Sequence, residues 1–210
     1  MTVTVDIIEH PIASDALATL RDVSTDVVGF RAAMHRLSSV LLVEATRGLP
    51  TCDLTVTTPL APAPARRLAQ PPVIVPVLRA GLGMLPSVLD LLPGADVGFV
   101  GVSRDEETAQ PHPYVNKLPA SLAGRTCLVI DPMLATGGSL EHTCRLLLER
   151  GAPTPLTVVC VLAAPEGIAR LEASGLEVAL ITAAVDERLN ERAFIVPGLG
   201  DAGDRLFGVG

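Results

Sequence analysis

Cys127-Leu-Val-Ile-Asp-Pro-Met-Leu-Ala-Thr-Gly-Gly-Ser139 is the stretch whose reading decides the fold. Cys127 to Ile130 is a short apolar run with β-branched residues, bounded by Gly124 and by Asp131-Pro132. That is the pattern of a strand buried on both faces. From Ser139 the period changes: Leu140, Cys144 and Leu147 fall at i, i+4 and i+7, and Gly151 supplies a stop. A buried strand therefore feeds a helix through a loop of small residues with a carboxylate at its mouth. Thr136, Gly137, Gly138 and Ser139 leave amide N–H groups uncovered at the helix start. With about half a positive charge from the helix dipole, they offer a seat for a phosphate. The competing reading is a tight, well-capped βα turn. It is not a Walker loop, because no Lys precedes Ser139.

Outward from this unit the alternation continues. Val73–Leu78, Val97–Val102, Thr157–Ala163 and Val178–Thr182 read as strands, and Met84–Leu92 and Pro165–Ala173 as short helices. Such alternation predicts one α/β domain over residues 1–210: an open, mostly parallel sheet flanked by helices, with loops converging at one edge. Upstream, Thr2–Ile8 alternates like an edge strand or extended arm, and Ser14–Asp22 suits a short helix. A longer helix starts at Ser24-Thr25-Asp26 and runs to Arg47; Val27, Phe30, Met34, Leu37 and Leu41 form one apolar face. That face covers either the sheet or another subunit. Cys52–Thr58 reads as a half-buried strand, and proline-rich Pro59–Pro72 as a surface connection with one short helix.

Composition agrees. The chain has 210 residues, 49% of them apolar but only 2% aromatic, so Val, Leu, Ala and Ile must build the core, as in a parallel sheet under helices. A net charge of −7 argues against general nucleic-acid binding, which needs clustered cations. The four cysteines lack Cys-x-x-Cys spacing and the four histidines lack metal spacing, so no protein metal site is expected. A reduced, cytoplasmic setting fits the cysteines. No signal peptide and no apolar run of about 18 residues is evident, so no membrane span is expected.

Near the end, Gly198-Leu-Gly-Asp-Ala-Gly203 satisfies G-x-G-x-x-G literally. A dinucleotide fingerprint must open a helix and leave about 20 residues before a ribose-binding acid. The sequence stops at Gly210, so this is read as a glycine-rich terminal loop. Such a loop exposes backbone donors and acceptors that could read the edge of a planar ring. A base with mismatched polar groups would leave them unpaired, which gives strong discrimination.

Asp131-Pro-Met-Leu-Ala-Thr-Gly-Gly-Ser139 closely resembles the phosphoribosyl pyrophosphate (PRPP) loop of uracil phosphoribosyltransferases, a branch of the type I phosphoribosyltransferases. Further matches follow in order. Leu78-Arg-Ala-Gly81 resembles the family's second phosphate-contacting loop, and Arg104 its pyrophosphate-binding arginine at the head of a flexible loop over about 104–118. That segment reads as a mobile surface hairpin or as a lid that excludes water. The tail from Phe194 to Asp204 resembles the family's uracil-binding segment or hood. The Ala163-Ala-Pro-Glu-Gly167 and Asp186-Glu-Arg-Leu-Asn190 stretches also look familial.

The resemblance implies PRPP binding by Arg79, Arg104, Asp131, Pro132, Met133, Leu134, Ala135, Thr136, Gly137, Gly138, Ser139 and Asp201. It implies uracil binding by Ile195, Gly200, Asp201 and Ala202, with Asp201 and Arg104 catalytic. It also implies Mg²⁺ carried mainly by PRPP, a homodimer or homotetramer, and GTP as a possible effector. Two departures stand out. Phe194 replaces the Tyr of many relatives, and Asp131-Pro132 replaces the paired acids of the wider class, leaving one carboxylate for the ribose hydroxyls. The rivals are a phosphoribosyltransferase for another base, an RNA-binding regulator on the same fold, and a silent interaction protein.

Overall fold

The structure, a computed structural model, describes residues 2–104 and 111–208. In chain order, β1 (Val3–Ile7) is followed by α1 (Pro11–Arg21), α2 (Val27–Ala45), β2 (Thr51–Thr57), β3 (Pro62–Leu68) and β4 (Val73–Leu78). A 3₁₀ turn (Ala80–Gly83) leads to α3 (Leu85–Leu91), β5 (Asp96–Val97), β6 (Phe99–Arg104), β7 (Pro111–Lys117), β8 (Cys127–Ile130) and β9 (Met133–Leu134). Then come α4 (Gly138–Glu149), β10 (Leu156–Ala163), α5 (Pro165–Ala173), β11 (Val178–Val185), β12 (Arg188–Leu189), β13 (Ile195–Val196) and α6 (Ala202–Phe207).

The main sheet runs β1-β11-β10-β8-β4-β6-β7, parallel throughout except for the β6–β7 pair. From β4 the chain moves to β6, then returns across β4 to β8 on its other side. The carboxyl ends of β4 and β8 therefore form a topological switch point, where open α/β sheets place ligands. β1 is the edge strand, in register with β11 from Val3↔Val178 to Ile7↔Thr182.

Period-two alternation gives each central strand two buried faces. Ile74, Leu128, Ile130, Val159 and Val161 face one layer, with Phe30, Met34, Leu37 and Leu41 of α2. Val73, Val75, Val77, Val129 and Val158 face the other, with Leu140, Cys144 and Leu147 of α4 and Leu171 of α5. The apolar face of α2 thus covers the sheet, and each large side chain buried there contributes about 1.5–3 kcal/mol. Asp26 starts that helix by accepting the Gly29 N–H at 2.7 Å.

Two expectations change. Pro59–Pro72 holds no helix: β3 pairs antiparallel with β2, Thr57 opposite Pro62 and Thr55 opposite Pro64. Prolines two apart aim both missing N–H positions at the open edge of a two-stranded ribbon, so the ladder loses no donor. Val97–Val102 is interrupted at Gly98, whose N–H bonds Ile74 O at 2.8 Å. In the 104–118 segment, Pro111–Lys117 pairs antiparallel with Phe99–Arg104, in line with the hairpin reading. Residues 105–110 of that segment lie outside the described residues.

Candidate active site

The phosphate-loop residues stand where β8 gives way to α4. Asp131 N–H donates to Val159 O, Pro132 O accepts from Val161 and Leu162, and Leu134 O accepts from Ala164. The first half of the loop is thus sewn to β10. Gly137, at φ +78°, turns the chain into α4. The first amide of α4 to bond back is Glu141, to Gly137 O at 2.9 Å. Gly138, Ser139 and Leu140 precede it, so their N–H groups have no intrahelical acceptor and converge with the helix dipole.

Behind the loop lies α5. A Cβ on Gly167 would collide with the Ala135 carbonyl oxygen, so only glycine lets the helix approach this closely. Glu141, in the first turn of α4, accepts from Arg170 Nε at 2.8 Å and Arg145 NH2 at 2.9 Å. The Arg170 hydrogen bond, followed by that of Arg145, holds the Glu141 carboxyl below its ordinary range. The Arg170 guanidinium consequently lies beside Gly138. Glu166 accepts the Leu189 N–H at 2.8 Å, which ties the same helix to β12.

Asp131 is buried and accepts from Met133 N at 3.4 Å. Burial pushes its carboxyl up to about 7, opposed by that amide. Beside it, at the end of β4, the Leu78–Arg79 peptide is cis and Arg79 is exposed. Arg104 closes β6 on the next strand. The ends of β4, β6 and β8 thus deliver Arg79, Arg104 and Asp131 to one edge of the sheet.

The tail covers that edge. β12 and β13 form a small ribbon whose turn is tied by Asn190: its Oδ1 accepts from Arg192 N and Phe194 N, both at 2.9 Å. Ile195 is buried, Gly200 is exposed at φ +82°, and Ala202 is buried. Gly198–Gly203 is not wholly a loop, since Asp201 caps the short helix α6 by accepting Asp204 N at 2.9 Å.

Two clefts result. One, about 150 Å³, is lined by Asp131 and by Met133 through Leu140. The other, about 300 Å³, has Ala80, Met133 and Ala135 on one side, with Arg192–Ile195 and Gly200–Gly203 on the other. They share Met133 and Ala135, so the loop between β8 and α4 and the tail open onto one another. Ile195, Gly200, Asp201 and Ala202 all line the second cleft. Pro132 lines neither cleft; its carbonyl serves β10.

Sequence reasoning missed Gly167, Arg170, Asp186, Arg192 and Ala193 as parts of this surround. For Gly167 and Asp186 the signal was present, in the Pro165-Glu-Gly167 and Asp186–Asn190 stretches. Arg192 and Ala193 carried none, because their place in the cleft depends on the Asn190 turn.

A family profile described as uracil phosphoribosyltransferase matches residues 7–209. The chain is 51% identical to the uracil phosphoribosyltransferase of Corynebacterium diphtheriae, over 96% of this chain and 95% of that one. It is 50% identical to that of Corynebacterium glutamicum strain R, over 97% and 96%. Among solved structures, the AQ2163 protein of Aquifex aeolicus superposes with a TM-score of 0.92 at 38% identity, covering 98% and 99% of the two chains. The adenine phosphoribosyltransferase (APRTase) of Giardia lamblia shares the fold alone, at a TM-score of 0.58 and 15% identity over 84% and 98%. With the profile matching nearly the whole chain and half its residues shared with the two corynebacterial enzymes, the chain belongs to the uracil phosphoribosyltransferase family.

Proposed function

We propose that the protein transfers the 5-phosphoribosyl group of PRPP to N1 of uracil, giving UMP and pyrophosphate, a pyrimidine salvage reaction. The observation that supports this reading is the shared wall of the two clefts, Met133 and Ala135, which gives room for a sugar phosphate beside a planar base. The amides following Thr136 hold the 5-phosphate, and Asp131 accepts from the ribose hydroxyls. Arg79 and Arg104 draw the leaving pyrophosphate. The C1–O bond breaks with its electron pair going to pyrophosphate, the N1–C1 bond forms, and the N1 proton leaves to Asp201 or solvent. A cationic C1 needs no strong nucleophile, so stabilising the departing anion is the main catalytic task. Ile195, Gly200 and Ala202 offer backbone groups to the uracil edge.

The donor set suits a cation carried on the substrate: the loop offers the single carboxylate of Asp131 amid backbone amides suited to phosphate. Mg²⁺ bound through PRPP would supply charge neutralisation on the pyrophosphate. A homodimer or homotetramer belongs to the same reading, supported by exposed Val28 and Val43 on α2 and Leu60 and Leu68 on the β2–β3 ribbon. So does a cytoplasmic setting, supported by the free thiols of Cys52, Cys127, Cys144 and Cys160. GTP as an effector rests on the family resemblance alone.

The test is pyrophosphate release from PRPP and Mg²⁺ as uracil is added, with cytosine, hypoxanthine and orotate as competitors. Uracil-dependent release that these bases fail to match is expected. Release driven better by another base, or no release, overturns the reading.

A further inference from the structure

The base-facing tail, whose Ile195, Leu199 and Ala202 are buried in the core, is also held from the far end of the sequence. Asp186, just past β11, is buried and accepts the Gly198 N–H at 2.8 Å. Its two carboxylate oxygens also receive Arg21, the last residue of α1, at 2.8 Å from NH1 and 2.6 Å from NH2. Arg21 NH1 reaches on to the Gly198 carbonyl at 2.9 Å. Both backbone groups of Gly198 are thereby captured by one forked ion pair. Gly198 sits at φ +63°, and a Cβ there would collide with the Ile195 carbonyl oxygen. The turn therefore requires glycine at this position, and the pair holds both of its backbone groups.

We propose that Arg21 and Asp186 are positioning residues for base recognition: by gripping Gly198 they set the spacing between Ile195 and Gly200–Ala202 across the cleft. This rests on the base-binding role given to the tail under Proposed function. Gly198 stands between those two groups of lining residues. Its neighbour Leu199 is held as well, its carbonyl accepting from Arg205 NH1 at 2.8 Å, while Arg205 also donates to Leu20 O and, through NH2, to Asp22 O at 2.7 Å. The N-terminal helices are thus the template on which the base-reading turn is cast. The phosphate loop is anchored separately, to β10 and α5. Loosening the grip should therefore damage base binding and leave PRPP binding intact.

The test compares wild type with Asp186→Asn, Asp186→Ala and Arg21→Lys by steady-state kinetics in each substrate. Loss of charge-assisted hydrogen bonds should raise KM for uracil about tenfold or more in Asp186→Ala. KM for PRPP should stay within about twofold, and discrimination against cytosine should fall. Arg21→Lys, which keeps the charge but not the fork, should behave like Asp186→Ala rather than like wild type. Equal rises in both KM values, or an unchanged uracil KM in a folded variant, overturn the proposal. Should Asp186→Ala fail to fold, Asp186→Asn carries the same comparison. In wild type, the Gly198 amide should exchange as slowly as those of β10, and fast exchange there also counts against the grip. Absence of wild-type activity with uracil would instead strike the base assignment, which separates the two failures.

Discussion

A methyl group placed on Gly81 would stand 2.6 Å from the Ile130 carbonyl oxygen. The turn after β4 and the end of β8 therefore interlock through backbone, with no flexible side chain to yield. Gly81→Ala should push the Arg79-Ala80 segment away from Asp131. Misplacement of a binding group by about 1 Å can cost about a hundredfold in rate. The expected result is a fall of that order in kcat/KM for PRPP, read from initial rates at saturating uracil. Wild-type kinetics in a folded Gly81→Ala protein would mean that the two loops act independently.

Asp131 links stability to pH. Its carboxyl is raised from 3.8 to about 7 by burial, so the fold prefers the protonated form. That contribution is whole below the unfolded value of about 3.9 and is lost as pH rises through about 7. Asp131→Asn has no proton to lose. Thermal melts should show the variant gaining on wild type between about pH 4 and 7, with a constant advantage above. Catalysis should run the other way, since the ribose hydroxyls need a charged acceptor. Wild-type PRPP affinity should improve as pH rises through about 7, and Asp131→Asn should lose about tenfold or more. A melting difference independent of pH would refute the buried titration.

Arg79 follows β4 and Arg104 ends β6, neighbouring parallel strands that finish at the same sheet edge. If both draw charge from the departing pyrophosphate, their effect belongs to the transition state. Arg104→Ala should cut kcat by about a hundredfold or more while the uracil KM changes little, because such an interaction grows only as the bond breaks. Arg79→Ala should resemble it, with a larger effect on PRPP affinity. Near-normal turnover in Arg104→Ala removes its assigned role.

Most strands and helices, and the turn from β8 into α4, were legible because each depends on local pattern. Val73–Leu78 and Cys127–Ile130 are continuous apolar runs, and the small residues of Thr136–Ser139 mark the turn into the helix. β3 was hidden because its prolines usually argue against a strand, and only the pairing with Thr51–Thr57 shows that their missing donors face outward. The α6 helix was hidden by its six residues, within which Gly203 reads as a breaker. The Arg21–Asp186 pair spans 165 positions, and the sequence offers Arg21 many acids. What selects Asp186 is the sheet order that carries β11 past the end of α1, a tertiary fact that no local period contains.

Asp201 holds two offices that a conservative pair of substitutions can separate. Its Oδ1 caps α6 by accepting Asp204 N at 2.9 Å, and the same residue lines the cleft under the tail. Asn caps a helix about as well as Asp, whereas Ala loses about 1 kcal/mol. Asp201→Asn should thus melt within a few degrees of wild type, and Asp201→Ala somewhat lower. If the carboxylate also receives the uracil N1 proton, Asp201→Asn must lose that function while keeping the cap. General-base assistance contributes about a hundredfold or more, so kcat should fall by that order in Asp201→Asn and no further in Asp201→Ala. Full activity in Asp201→Asn with a loss only in Asp201→Ala would make the residue a cap alone and send the N1 proton to solvent.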